Sequence, residues 1–200
     1  MGRQRARDYD AKRAMIRDAA AKLFAERGFD GSSIADLAER CGMTKPALYH
    51  YFPSKEALLY EILDVHIGML RRMVLEADLE ARDWEPNRRL EHIVHHLLAA
   101  YRDADDQHKV QLNELGRLPE PQRKVIKSME RDIVDVIADI VLEINPHLDK
   151  SSGMLKPAVM SLFGILNWHY TWFRENGAIS RNNFAKFATR LFLDGAKTLS

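Results

Sequence analysis

Two hundred residues, 46% of them hydrophobic and 30% charged, suffice for one globular domain or a small head on a larger body, and exclude a disordered or fibrous chain. The formal net charge of +1 hides an asymmetry: residues 1–55 carry eleven Lys and Arg against seven Asp and Glu, giving +4 there and −3 over the rest. A basic end on a near-neutral chain points to a local anionic partner, with a merely solvated tail as the alternative, and the alternation of Arg3, Arg5 and Arg7 favours nucleic acid.

Helical periodicity runs through the chain, and no strand alternation is evident. Met15, Ile16, Ala19, Ala20, Leu23 and Phe24 recur at three-to-four spacing, which predicts a first helix ending at Gly28 behind a basic N-terminal arm. Ser33 caps a short second helix, with Asp36 in the capping-box position and Ile34, Leu37, Ala38 and Cys41 facing inward. Gly42 ends it. Thr44 caps a third helix, in which Pro46 falls in a first turn that has no backbone donor to lose, and Phe52-Pro53 closes that helix. Ser54 caps a long fourth helix running to about Leu79.

Beyond a joint at Asp83-Trp84-Glu85-Pro86, a fifth helix carries Leu90, Ile93, Val94, Leu97, Leu98 and Tyr101. A shorter sixth holds Val110, Leu112 and Leu115, and a seventh runs from Val125 to Ile144, stopped by Asn145-Pro146. The eighth is predicted from Leu155 to Arg174, and Ser180 caps a ninth with the stripe Phe184, Phe187, Ala188, Leu191, Phe192 and Gly195. The expected fold is all-α: a head at 1–55 and a helical body at 56–200.

Two short helices joined by Cys41-Gly42-Met43 and braced by the first read as a three-helix helix-turn-helix unit, with an ordinary helical hairpin as the alternative. The second of the pair belongs in a DNA major groove, its N-terminal residues near base edges. Its side chains suit that task. Thr44 can donate to phosphate or base, Lys45 can reach guanine or phosphate, and Tyr49, His50 and Tyr51 offer a hydroxyl, ring nitrogens and apolar surface. Lys55, at the mouth of the fourth helix, is placed to meet the phosphate backbone.

The run from Gly28 to Leu58, and above all its core Leu-Tyr-x-Tyr-Phe-x-Ser-Lys-Glu at Leu48–Glu56, resembles the signature of the TetR family of repressors. The resemblance is close over residues 10–60, and nine helices with two long final ones agree with the family layout. It implies a dimeric, non-enzymatic regulator of double-stranded DNA, with Ser33, Thr44, Lys45, Pro46, Ala47, Tyr49, His50, Tyr51 and Lys55 at positions that usually face the operator. Ser32-Ser33 stands where Thr-Ser or Thr-Thr is commoner. The resemblance further implies a body that encloses a small-molecule effector and dimerises through its last two helices.

The sequence supports dimerisation independently, because the eighth helix is apolar nearly all round and must be covered on every side. For the effector, Trp168, His169 and Trp172 with Trp84, Tyr101 and Asn113 offer apolar surface and a few polar groups, although each also reads as plain core. Phe163–Phe173 and Leu191–Gly195 resemble, more loosely, the C-terminal part of regulators of fatty-acid, steroid and aromatic-acid catabolism that respond to acyl-CoA thioesters. Such a ligand needs a basic rim, for which Arg71, Arg72, Arg117, Arg123 and Lys124 are candidates. A multidrug-type sensor of hydrophobic or cationic compounds is the alternative.

His92, His95 and His96, at i, i+3 and i+4, raise a metal sensor as a further reading, but no Cys or Glu-x-x-His pattern accompanies them and no metal site is expected. No cofactor motif occurs: there is neither a Gly-x-Ser-x-Gly elbow nor a glycine-rich phosphate loop. The single Cys41 suits a reducing compartment, Met1–Asp10 lacks an apolar leader core, and no apolar run is long enough for a membrane span. A cytoplasmic protein is therefore expected.

Overall fold

The computed structural model describes residues 2–102, 104–148, 151 and 153–199, with the backbone alone for residues 2–4. Among them lie nine α-helices and no strand: α1 (Gly2–Arg27), α2 (Ile34–Arg40), α3 (Lys45–Tyr51), α4 (Lys55–Glu80), α5 (Pro86–Ala100), α6 (Asp105–Glu114), α7 (Glu120–Ile144), α8 (Leu155–Asn167) and α9 (Arg181–Ala196). The all-α architecture with an N-terminal helix-turn-helix is the expected one. Several boundaries differ, each for a physical reason.

The basic arm is not an arm. Helix α1 begins at Gly2, because the Ala, Arg and Lys of its first turns are good helix formers even without an apolar stripe. Arg5 and Arg7 ride exposed on that helix, and the side chain of Arg3 lies outside the described residues. Further along, Ile16, Ala20, Leu23 and Phe24 are buried as expected, whereas Met15 is exposed.

The chain divides into two compact units, and the division is not the sequence boundary at residue 55. The first comprises Met1–Gly68 with Ala104–Lys127, so α6 joins the head. Helix α1 packs on both α2 and α6. The Glu114 carboxylate at the end of α6 accepts a hydrogen bond from the backbone N–H of Phe29 at 3.1 Å, and Arg117 pairs with Asp30 at 2.6 Å. On α6 the buried residues are His108 and Val110, while Leu112 is exposed. His108 faces His66 of α4, with ring centroids 6.2 Å apart, and burial pushes His66 down to about 4.

The second unit comprises Met69–Asp103 with Ser128–Ser200. Helix α9 packs against α5 and α8, burying Phe184, Ala188 and Phe192 beside Leu90, Ile93, Val94 and Leu97. Asn145, expected only as a helix stop, also ties the end of α9 down: its Nδ2 donates to the carbonyls of Ala196 and Leu199, each at 2.8 Å. Helix α8 is shorter than its apolar run. It stops at Asn167 and gives way to a 3-10 turn at Trp168–Thr171, within which His169 is buried and bonded to Arg181.

Candidate nucleic-acid interface

Helices α2 and α3 owe their placement to local chemistry. Ser33 and Asp36 form a full capping box: Asp36 N–H donates to Ser33 Oγ at 3.1 Å and Ser33 N–H to Asp36 Oδ2 at 2.9 Å. Two bonds donated to the Asp36 carboxylate, from the Ser33 hydroxyl and then from the Ser33 N–H, hold it below its ordinary range. At the other end Gly42 takes φ +61°, and a Schellman closure follows, with Met43 N–H donating to Ala38 O at 2.8 Å and Gly42 N–H to Glu39 O at 3.0 Å. Only a residue free of Cβ crowding enters that left-handed conformation without strain. Cys41, at this corner, is half-buried, and burial pushes its thiol up.

Helix α3 starts at once. Thr44 Oγ1 accepts from Ala47 N–H at 3.4 Å, and Pro46 sits in the first turn. Leu48 is fully buried, which fixes the roll of this short helix about its axis. The opposite face is thereby committed to solvent: Thr44, Lys45, Pro46 and His50 are exposed, Ala47 is half-buried, and Tyr49 is 49% exposed. A basic, hydroxyl-bearing helix face of this width is what reading base edges in a major groove requires.

Two of the expected DNA-facing residues do other work. Tyr51 stacks on Tyr9 of α1, with centroids 4.9 Å apart and planes at 24°, and its carbonyl accepts from Arg13 at 3.2 Å. Lys55 points inward: its Nζ donates to the carbonyls of Phe29 at 2.6 Å and Ser32 at 2.9 Å and lies 4.1 Å above the Phe29 ring. Both residues therefore brace α3 and the loop from Gly28 to Ser32.

Sequence reasoning missed the hub of that brace. Arg13 forms a fork with Glu61 of α4, one arm 2.7 Å long, and its guanidinium lies 4.6 Å above the buried Phe52 ring that ends α3. The hydrogen bond to Glu61 pushes the Arg13 guanidinium further up, against the effect of burial. Nothing local marks Arg13; its partners come from two other helices.

Residues 16–62 match the family described as bacterial regulatory proteins, tetR family, and residues 83–196 match the tetracyclin repressor-like C-terminal domain. The chain belongs to the TetR family. It is a helix-turn-helix transcriptional regulator with the DNA-binding head at its N-terminus. A TetR-family regulator from Bordetella parapertussis 12822 superposes with a TM-score of 0.86 at 35% identity, over 94% of this chain and 97% of that one.

The TetR fold also extends to AibR, solved in complex with isovaleryl coenzyme A and operator DNA, with a TM-score of 0.74 at 24% identity over 90% of this chain and 97% of AibR. The regulator RutR of Escherichia coli K12 is 40% identical over 72 residues, 34% of this chain and 34% of RutR. Among the first curated relatives, the matched stretch takes in between 19% and 34% of the relative's own length.

The expected effector residues divide between the two units. Asn113 and Arg117 belong to the first unit, where Asn113 is exposed and Arg117 is paired with Asp30. In the second unit Tyr101 and His169 are buried, while Trp168 is 63% and Trp172 49% exposed and Trp84 lies at a surface cleft. The large indoles are therefore not core. Tyr101 Oη donates to Asn167 Oδ1 at 3.0 Å, and burial pushes its phenol well up.

Arg181 Nη1 donates to Leu98 O at 3.0 Å and to His169 Nε2 at 2.8 Å, and because a guanidinium only donates, that ring nitrogen accepts. Glu175 completes the group and is held low by Arg181. Of the expected basic rim, Arg71 is paired with Asp132 and Lys124 with Glu120. No helix among the described residues is long and apolar enough to cross a membrane.

Proposed function

We propose that this TetR-family regulator is a repressor that grips a palindromic operator as a homodimer and lets go when its second unit takes up a small hydrophobic effector of the acyl-CoA thioester class. The observation that carries the DNA half is the roll of α3: a buried Leu48 on one side leaves Lys45, Pro46, Tyr49 and His50 on the other. Two such heads must lie one DNA turn apart, roughly 34–36 Å, or a small multiple of it. Dimerisation is supported by exposed apolar side chains on the last two helices, Met160 of α8 and Phe187 and Leu191 of α9.

Lys45→Ala and Tyr49→Ala are each expected to weaken operator binding by on the order of 1–3 kcal/mol, with thermal stability unchanged, since neither side chain packs in the core. A mobility shift on DNA upstream of the reading frame measures this. Unchanged affinity in both variants would place the DNA-reading surface elsewhere.

The effector half rests on the looser resemblance of the C-terminal segment and on the setting of Trp168 and Trp172. Trp168 precedes His169 in the chain, the Trp172 ring packs on Phe184, which stacks on His169, and Arg102 pairs with the Glu175 of the same group. Indole faces offer a surface for an acyl chain, and guanidiniums suit the phosphates of the coenzyme. Titrating the protein–operator complex with isovaleryl-CoA is expected to quench or shift indole fluorescence and to release DNA, with a coupling of roughly 1–3 kcal/mol. The free acid, lacking phosphates, should do much less. Release by a cationic dye, with every thioester silent, would replace this reading with a drug-sensing one.

A further inference from the structure

The structure assigns a binding site for a divalent transition-metal ion of the zinc class to Glu80, His92 and His96. The two histidines lie one helical turn apart on α5, and Glu80 is the last residue of α4, so the set is assembled across the joint between two helices. One ligand atom from each residue lies within 4.8 Å of the others. This carboxylate is the ligand that the spacing of the histidines alone did not provide.

The spacing of the donor atoms fits coordination. His92 Nε2 lies 3.5 Å from Glu80 Oε2, and this shielded nitrogen makes no hydrogen bond. With bonds of about 2.0–2.1 Å to zinc, two ligand atoms of a tetrahedron stand roughly 3.3–3.4 Å apart, close to that separation. Drawing in His96 needs only a side-chain adjustment, since its ring already stands edge-on to that of His92 with centroids 4.5 Å apart.

The surroundings orient the ligands and leave a way in. The Trp84 ring packs on His92 at 5.0 Å, which limits its rotation. Beside it opens a cleft of about 350 Å³ lined by Trp84, Arg88, Glu91, His92, His95 and Asn182, through which an ion can reach the cluster. Arg88 and Lys186 add positive charge along this cleft, and Glu91 offsets part of it. Two imidazoles and one carboxylate form a borderline donor set that suits zinc, nickel or copper and excludes a calcium-type oxygen cage. Three protein ligands also leave a fourth position for water, an arrangement of three side chains and one exchangeable ligand.

The proposal stands apart from the DNA reading and is tested on the untagged full chain without DNA. Zinc titration by calorimetry should give one equivalent per chain, and cobalt(II) should develop the visible absorption of a four-coordinate site. Zinc at a hundred times its Kd should raise Tm by roughly 5–10 °C. Glu80→Gln, at an exposed position that leaves folding intact, and His96→Gln should weaken binding by at least the roughly 10–100-fold that loss of even an outer-shell partner costs. His147→Gln, at an exposed histidine outside both the cluster and its cleft, should leave binding unchanged. The assignment is overturned if the wild type shows neither the zinc heat nor the cobalt band. It is equally overturned if binding survives Glu80→Gln but is lost in His95→Gln, which would make the site one of α5 alone.

Discussion

Phe52→Ala is expected to destabilise the DNA-binding head by about 3–5 kcal/mol, the range for deleting a fully buried aromatic ring. Phe52 ends α3, donating its N–H to Leu48 O at 3.1 Å, and its ring is the floor on which the Arg13 guanidinium rests. Truncation leaves a cavity and at the same time frees the fork to Glu61 that ties α1 to α4. Against a typical total stability of about 5–15 kcal/mol, that is enough to melt the head at moderate temperature. Urea unfolding and a mobility shift should report the loss together, which separates this variant from Tyr49→Ala, where binding falls and stability does not. An unchanged urea midpoint would show that the head does not hang on this ring.

What the sequence made legible is what is decided within a few residues. The caps at Ser33, Thr44, Ser54 and Ser180 each depend on a hydroxyl and an N–H three positions on, and all four are present. The turn at Gly42 is equally local. Lys55 and Tyr51 were legible as residue types but not as roles, because Lys55 is captured by carbonyls 23 and 26 residues away. The same holds for α6, whose place beside α1 depends on a contact between Glu114 and Phe29 across 85 residues of chain. His92 and His96 were visible as a pair, but Glu80 joins them only once the chain has turned between α4 and α5. The aromatic run after Asn167 misled in the opposite direction: its periodicity continues past the helix, while the chain there tightens into a 3-10 turn.

Pairing Phe187→Asp with Leu191→Arg is expected to convert the protein to monomers. The two side chains stand four residues apart on one face of α9, 57% and 54% exposed, while Phe184, Ala188 and Phe192 on another face are buried within the unit. Under the proposed dimer, two such side chains next to one another on a helix face supply the apolar surface that the partner covers. In a two-fold dimer the interface is made by the same patch on both copies, so each substitution is felt twice and four apolar side chains are lost.

At about 1.5 kcal/mol each, the low end for burying such a side chain, the loss is roughly 6 kcal/mol, or about four orders of magnitude in the dimer Kd. Light scattering at micromolar protein should then report one chain where the wild type reports two. Operator affinity should fall with it although α3 is untouched, because a monomer engages one half-site at a time and loses the effective concentration that links the two heads. A double variant that remains dimeric at that concentration would show that the partner surface lies away from α9.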